Sequence, residues 1–190
     1  MLHFAAVSPR SEVVIAVVDA FWGRDAFAHS TDAAIVLYFS NNEQTMTQAL
    51  RERLDTLYAA FKRGQLDFVL NGFDDKAEFI SHTPAHLFPF LGHRRGKLAI
   101  AEAFKEIHEE LEFISYEPVS KVLEAEEAAV MLFIRVINRR TGRSIQLSLA
   151  HFLKFRDGKI VELREFMDSF SAAEQSLGRA LDVGGDYHLV

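Results

Sequence analysis

From Ile114 to Phe170 the chain alternates strand-like runs with turn signals, and this constrains the fold more than any other feature of the sequence. The runs are Tyr116–Leu123, Ala128–Asn138, Ser144–Arg156 and Lys159–Phe170. Between them lie Glu124–Glu127, Thr141-Gly142 and Asp157-Gly158, and an Asp-Gly pair marks a tight hairpin. Within the third run Ile145, Leu147, Leu149, His151, Leu153 and Phe155 fall two apart, so all six share one face of a strand. Such a meander needs a cover for its apolar face.

That cover precedes it. Leu50, Leu54, Leu57, Tyr58 and Phe61 recur at helical spacing, Thr45 and Gln48 have capping-box spacing ahead of them, and Gly64 stands where a helix stops. A short helix over Asp67–Asn71 and a brief strand over Ala77–Ser81 follow. A second amphipathic helix starts at Lys97, its stripe formed by Ile100, Phe104, Ile107 and Leu111. Helices first and an antiparallel meander last make an α+β layout. Between them, His82–Gly96 contains Pro84, Pro89 and Gly92 and reads as a long loop, a common place for function. The tail from Ala172 to Leu181 reads as a short helix.

The first 45 residues are less organised. Val13–Val18 and Ile35–Phe39 are strand-like runs, and residues 1–45 form an N-terminal extension or precede a true start at Met46. The main domain is expected over 46–178, with a tail over 179–190.

Composition narrows the function classes. The 190 residues carry a formal charge of −6, which disfavours a general nucleic-acid binder. There is no Cys, so disulfides, thiolate catalysis and Cys-based zinc sites are excluded. Val13–Val18 falls well short of the roughly 18 apolar residues of a membrane helix, and a cytoplasmic setting is the simplest reading. Seventeen Phe imply a large apolar interior or a ring-lined pocket.

Three stretches in order, LDTLYAAFKRGQLDFVLNGFDDKAEF, GHRRGKLAIAEAFKEI with its G-x-x-x-G-x-x-x-I spacing, and AHFLKFRDGKIVELREFMD, resemble the SnoaL-like polyketide cyclase and ketosteroid isomerase superfamily. The resemblance spans about Thr47 to Gly178. It implies a cone-shaped, strongly curved antiparallel or mixed sheet wrapped around about three N-terminal helices, with one deep apolar pocket. It also implies a homodimer formed through the outer face of the sheet. Members include isomerases, cyclases, dehydratases, epoxide hydrolases and non-catalytic partners, so the site must decide the function.

His151 is a titratable ring in an apolar row, and the resemblance sets it where ketosteroid isomerases hold an oxyanion-binding Asp. Phe166-Met167-Asp168 is similar to the family's strand end, which implies an acid–base role for Asp168. About the Asp157-Gly158 turn, the region of Arg164 is expected opposite His151. Other family positions depart from the pattern. Ser81 stands where the isomerase base would be, Tyr58 lies one step from the oxyanion-hole Tyr position at Leu57, and Arg135 lacks its Asp partner because Ile137 occupies that place.

Tyr58, Phe61, Phe79 and Phe166 are expected to line the pocket, with Ser81 among the ligand contacts and Arg135 binding a ligand oxygen or carboxylate. His82, His86 and Phe88 are expected on a loop rim. His82 and His86 have metal-pair spacing, but Pro84 between them breaks the helix such a pair needs, so no metal and no cofactor is expected. The functional expectation is a protein that binds a small apolar or amphipathic ligand, with His151 and Asp168 moving protons in an isomerisation, cyclisation or dehydration. The alternatives are a non-catalytic ligand- or protein-binding module of the same fold and a dimeric scaffold with a filled pocket.

Overall fold

Alternation along the Ser144–Arg156 strand organises the computed structural model, which describes residues 31–84 and 86–182, with side chains from residue 47 onward. Every second residue of that strand from Ile145 to Phe155 is buried. The elements in chain order are α1 (Thr31–Lys62), α2 (Leu66–Leu70), β1 (Phe73–Ser81), β2 (His93–Arg95), α3 (Lys97–Glu110), β3 (Leu111–Glu124), β4 (Glu127–Asn138), β5 (Ser144–Arg156), β6 (Lys159–Met167) and α4 (Ser169–Leu177). One six-stranded sheet runs β2-β1-β6-β5-β4-β3. All its pairings are antiparallel except β1 with β6, which is parallel. The sheet is therefore mixed, as the resemblance implied.

The chain divides between Thr45 and Met46, and the sheet lies in the second unit. Two expectations near that point are corrected. Ile35–Phe39 is helical, and Thr45 sits inside α1 rather than at its start. No Pro or Gly occurs between Thr31 and Arg63, so nothing interrupts the helix, and a short branched apolar run cannot by itself separate strand from helix. Val13–Val18 lies outside the described residues. The stop at Gly64 is as expected: the Gly64 N–H donates to the Phe61 carbonyl at 2.9 Å and the Gln65 N–H to the Ala60 carbonyl at 3.0 Å, with φ +72° at Gly64. That pair of bonds is a Schellman closure.

Further corrections concern boundaries. β1 begins at Phe73, β3 begins at Leu111, and β6 ends at Met167 before α4. The His82–Gly96 loop contains β2, three residues that pair with β1 from Glu78↔Arg95 to Ile80↔His93. So short a strand has too few residues to display a period.

The Asp157-Gly158 hairpin forms, both residues having positive φ (50° and 70°) as a type I′ turn requires. Its register is not the ideal one. Arg156 pairs with Lys159 and Phe155 with Ile160, but Lys154 then pairs with Glu162 rather than Val161. This bulge adds one residue to β6 and turns Leu163 and Glu165 inward, with Arg164 outward. Glu165, not Arg164, faces His151. A shift of one residue exchanges the two faces of a strand, so this bulge decides which side chain enters the interior.

The core lies between the inner sheet face and the helices, where Leu54, Phe79, Ile100, Leu132 and Val130 are almost fully enclosed. The alternation predicts contrasting costs for adjacent β5 residues. Leu153→Ala should lower the free energy of unfolding by about 2–5 kcal/mol, whereas exposed Lys154→Ala, which loses only a surface ion pair to Glu162, should cost less than about 1 kcal/mol. Urea denaturation of the two variants measures the difference.

Candidate active site

Three neighbouring strands place polar side chains in one row on the inner face. Ser81 of β1 is the cross-strand partner of Glu165 of β6, and Glu165 is the partner of His151 of β5. On β4 the row ends at Val130. Ser81, His151 and Glu165 are the buried polar or charged residues among the described side chains, His151 being 3% and Glu165 7% exposed. Helix α1 supplies the fourth member. Tyr58 lies one turn beyond Leu54 on the buried side of that helix, and its hydroxyl is 3.0 Å from His151 Nδ1.

Donor and acceptor bookkeeping orders these contacts. Ser81 Oγ donates to Glu165 Oε1 at 2.7 Å, and His151 Nε2 lies 3.2 Å from Glu165 Oε2. Burial, reinforced by the charges of Glu165 and Asp55, pushes the Tyr58 phenol well above its ordinary value, so it keeps its proton. Tyr58 therefore donates to Nδ1, which leaves Nε2 as the protonated nitrogen facing the carboxylate. Ser81 gives its one proton to Glu165, so Thr83 Oγ1, 2.7 Å away, donates to Ser81. Every proton in the chain Tyr58–His151–Glu165–Ser81–Thr83 points toward Glu165.

This row borders a cavity of about 110 Å³. Tyr58, Tyr116, His151 and Glu165 supply its polar groups, and the rest of the wall is apolar, with Phe79, Phe88, Phe90 and Phe104 in it. Phe61 is the hub of a ring cluster, with centroids 5.1 Å from Phe104, 5.5 Å from Phe113 and 5.2 Å from Tyr116. Burial also raises the Tyr116 phenol, whose ring lies 5.9 Å from that of Tyr58. Among the described residues, no group of three or more His, Asp or Glu side chains is placed to hold a metal ion.

Of the residues singled out from sequence, Tyr58, Phe61, Phe79, Phe88 and His151 line the cavity. Ser81 stands behind Glu165. The others are placed elsewhere. Asp168 is exposed and accepts from the Ser171 N–H at 2.9 Å as the N-cap of α4, so it does not share the cavity with His151 as expected; the carboxylate there is Glu165. Phe166 is outward and 42% exposed, stacked on the exposed His82 ring at 4.4 Å. Arg135 is exposed and holds Gln146 at 3.2 Å; His86 is also exposed. Strand parity explains these cases: Phe166 has the parity opposite to Glu165, and Arg135 the parity opposite to Ile134 and Val136. The site residue missed in the sequence is Glu165. A signal for it was present, because Ile160 and Leu163 are three apart where an unbroken strand would set its core residues two apart.

Comparison with known proteins identifies the family of the fold. The family model for the SnoaL-like domain matches residues 54–163. The chain belongs to the SnoaL-like family. No curated protein matches it. Among solved structures, a "Putative Isomerase" from Rhodopseudomonas palustris is 31% identical with a TM-score of 0.60, over 65% of this chain and 91% of that one. An NTF2-like protein from Burkholderia xenovorans LB400 is 25% identical with a TM-score of 0.60, over 68% and 97%. An LEH-like epoxide hydrolase from M. tuberculosis, 13% identical with a TM-score of 0.58 over 70% and 92%, shares the fold. The SnoaL-like assignment covers the last turns of the helix that carries Tyr58 and the strands that carry Ser81 and His151, and ends at Leu163, two residues before Glu165.

Two predictions follow from the site's electrostatics. Tyr58→Phe removes the donor to a buried ring nitrogen and should cost about 1–3 kcal/mol in urea denaturation. His108 packs against Phe61 at 4.8 Å and Phe113 at 4.9 Å, its Nε2 is buried without a partner among the described residues, and burial holds its pKa below the ordinary value of 6.5. The unfolded chain therefore binds the His108 proton more readily, and this residue's contribution to stability should fall as pH drops below about 6.5. Unfolding curves between pH 7.5 and 5.5 should show a shallower decline for His108→Gln than for the wild type.

Proposed function

We propose that this SnoaL-like protein binds a small, mostly apolar, uncharged ligand bearing a hydroxyl or carbonyl. On this reading it moves a proton on that oxygen by cofactor-free acid–base chemistry in an isomerisation, cyclisation or dehydration. The observation that carries the reading is the ordered run from Tyr58 through His151 to Glu165 beside an apolar cavity. A ligand hydroxyl placed at Tyr58 Oη would pass its proton to Tyr58 as the phenol's own proton passes to His151 Nδ1. The resulting imidazolium is held by Glu165, and the reverse sequence returns the proton. Because the two transfers are concerted, no tyrosinate forms, in keeping with the raised phenol pKa. Glu165 rather than Asp168 orients the ring in this scheme.

The lining also supports an uncharged ligand. Among the described residues that form the wall there is no Lys or Arg, and one carboxylate is already present. A ligand carboxylate would meet a like charge in a poorly solvated space.

A screen of neutral unsaturated ketones and hydroxy-ketones by mass spectrometry tests the reading. Once a substrate is found, His151→Ala and Glu165→Gln should lower kcat/KM by at least about 10²-fold, while Asp168→Asn should leave it unchanged. Retained turnover in both relay variants would refute the assignment. Closure of the relay favours a second reading, since each of its protons already has a partner within the protein. On that reading the domain binds without turnover, and a neutral ligand would be recovered from it unaltered.

We also propose self-association through the outer sheet face, where Met131, Phe152 and Phe166 are 43%, 50% and 42% exposed. Patches of this kind commonly mark contact surfaces. Sedimentation velocity should show a dimer for the wild type and a monomer for the Met131→Glu, Phe152→Glu double variant. A wild-type monomer would remove this part of the proposal.

A further inference from the structure

The segment 82–92 contributes Phe88, Phe90 and Leu91 to the cavity wall, and its two ends converge on Glu165 and Ser81. At the first end, the His82 N–H donates to the Glu165 carbonyl at 3.0 Å, and the His82 ring stacks on Phe166, the next residue of β6. At the other end, the Ser81 N–H donates to the Gly92 carbonyl at 2.9 Å. Two hydroxyls complete the connection. Thr83, within the loop, donates to Ser81 Oγ, and Ser81 Oγ donates to Glu165 Oε1, each at 2.7 Å.

We propose that Ser81 and Thr83 are positioning residues that tie the loop over the cavity to Glu165 and hold its carboxylate facing His151. The inference rests on the relay reading above. A carboxyl group can rotate about its terminal torsion, which has broad minima. With Oε1 fixed by Ser81, Oε2 is left to receive the Nε2 proton. Thr83 matters because a hydroxyl has one proton: while Thr83 donates to Ser81, the Ser81 proton is directed to Glu165. Seating of the loop and orientation of the carboxylate are thereby one event. A ligand that displaces Phe88 or Phe90 would be sensed at Glu165 with no direct contact to it.

The test uses the full chain and needs no ligand. Nitrogen-15 spectra of the histidine side chains report which ring nitrogen of His151 carries the proton. The wild type should show a single tautomer protonated at Nε2. Tyr58 holds that tautomer in every variant, so the readout is the Hε2 resonance: Ser81→Ala should move it upfield as the Nε2–H···Oε2 bond weakens, Ser81→Thr should restore it, and Thr83→Val should reproduce the shift in part. Should Ser81→Ala fail to fold, Ser81→Cys, with its weak donor, replaces it. An unchanged His151 spectrum in the Ser81 variant would overturn the proposal, and an unchanged spectrum in Thr83→Val would overturn the loop's share in it. Glu165→Gln separates the two levels of the argument. If it leaves His151 unaltered, the relay itself is wrong; if it alters His151 while the Ser81 and Thr83 variants do not, only the positioning roles fall.

Discussion

Glu165 is a carboxylate in the wall of an apolar cavity, and a charge so placed persists only where donors replace the water it has lost. Ser81 and His151 are those donors, one to each oxygen. Much of the local architecture follows from supplying them. β1 must lie beside β6 in parallel so that Ser81 comes level with Glu165, and β5 must lie on the other side so that His151 does. α1 must cross with Tyr58 inward, because the ring nitrogen not used by Glu165 also needs a partner. The polar row and the apolar hollow are two parts of one arrangement: the row is tolerated beside the hollow because its members are paired with one another.

The bulge on β6 sets the whole row. An unbroken two-residue hairpin would turn Arg164 toward His151 and put Glu165 in solvent. One additional residue between Ile160 and Leu163 exchanges the two. A cation there would have met an imidazole with no anion nearby, whereas the carboxylate gives the imidazole an acceptor. Bulges bordering functional sites commonly re-aim side chains in this way.

The sequence made the elements with long periods readable. The alternation on β5, the apolar stripes of α1 and α3, the Gly64 stop and the Asp-Gly hairpin each depend on neighbouring residues, and each is present. The SnoaL-like resemblance supplied the curvature and the cavity, which no local pattern encodes. Legibility failed where tertiary pairing overrides local pattern. Three-residue β2 is too short to show a period. Ile35–Phe39 has strand composition inside an uninterrupted helix. The Phe166-Met167-Asp168 motif points to Asp168, but this residue lies past the end of β6, where its carboxylate caps the next helix. Glu165 is hidden from local pattern because an unbulged register about Asp157-Gly158 sets Arg164 opposite His151. The residues singled out from sequence that line the cavity, Tyr58, Phe61, Phe79, Phe88 and His151, are mostly those whose own helix or strand period points them inward.

The SnoaL-like fold serves isomerases and epoxide hydrolases among others, so the cone alone does not assign chemistry. The assignment here depends on Tyr58, His151 and Glu165 acting as a coupled unit. A double-mutant cycle on Tyr58→Phe and Glu165→Gln, read by urea denaturation, tests that coupling most directly, because the two side chains communicate through the His151 ring between them. A unit of this kind predicts a non-additive free energy of about 0.5–3 kcal/mol. Strict additivity of the two substitutions would contradict it and leave three independent polar groups beside a cavity.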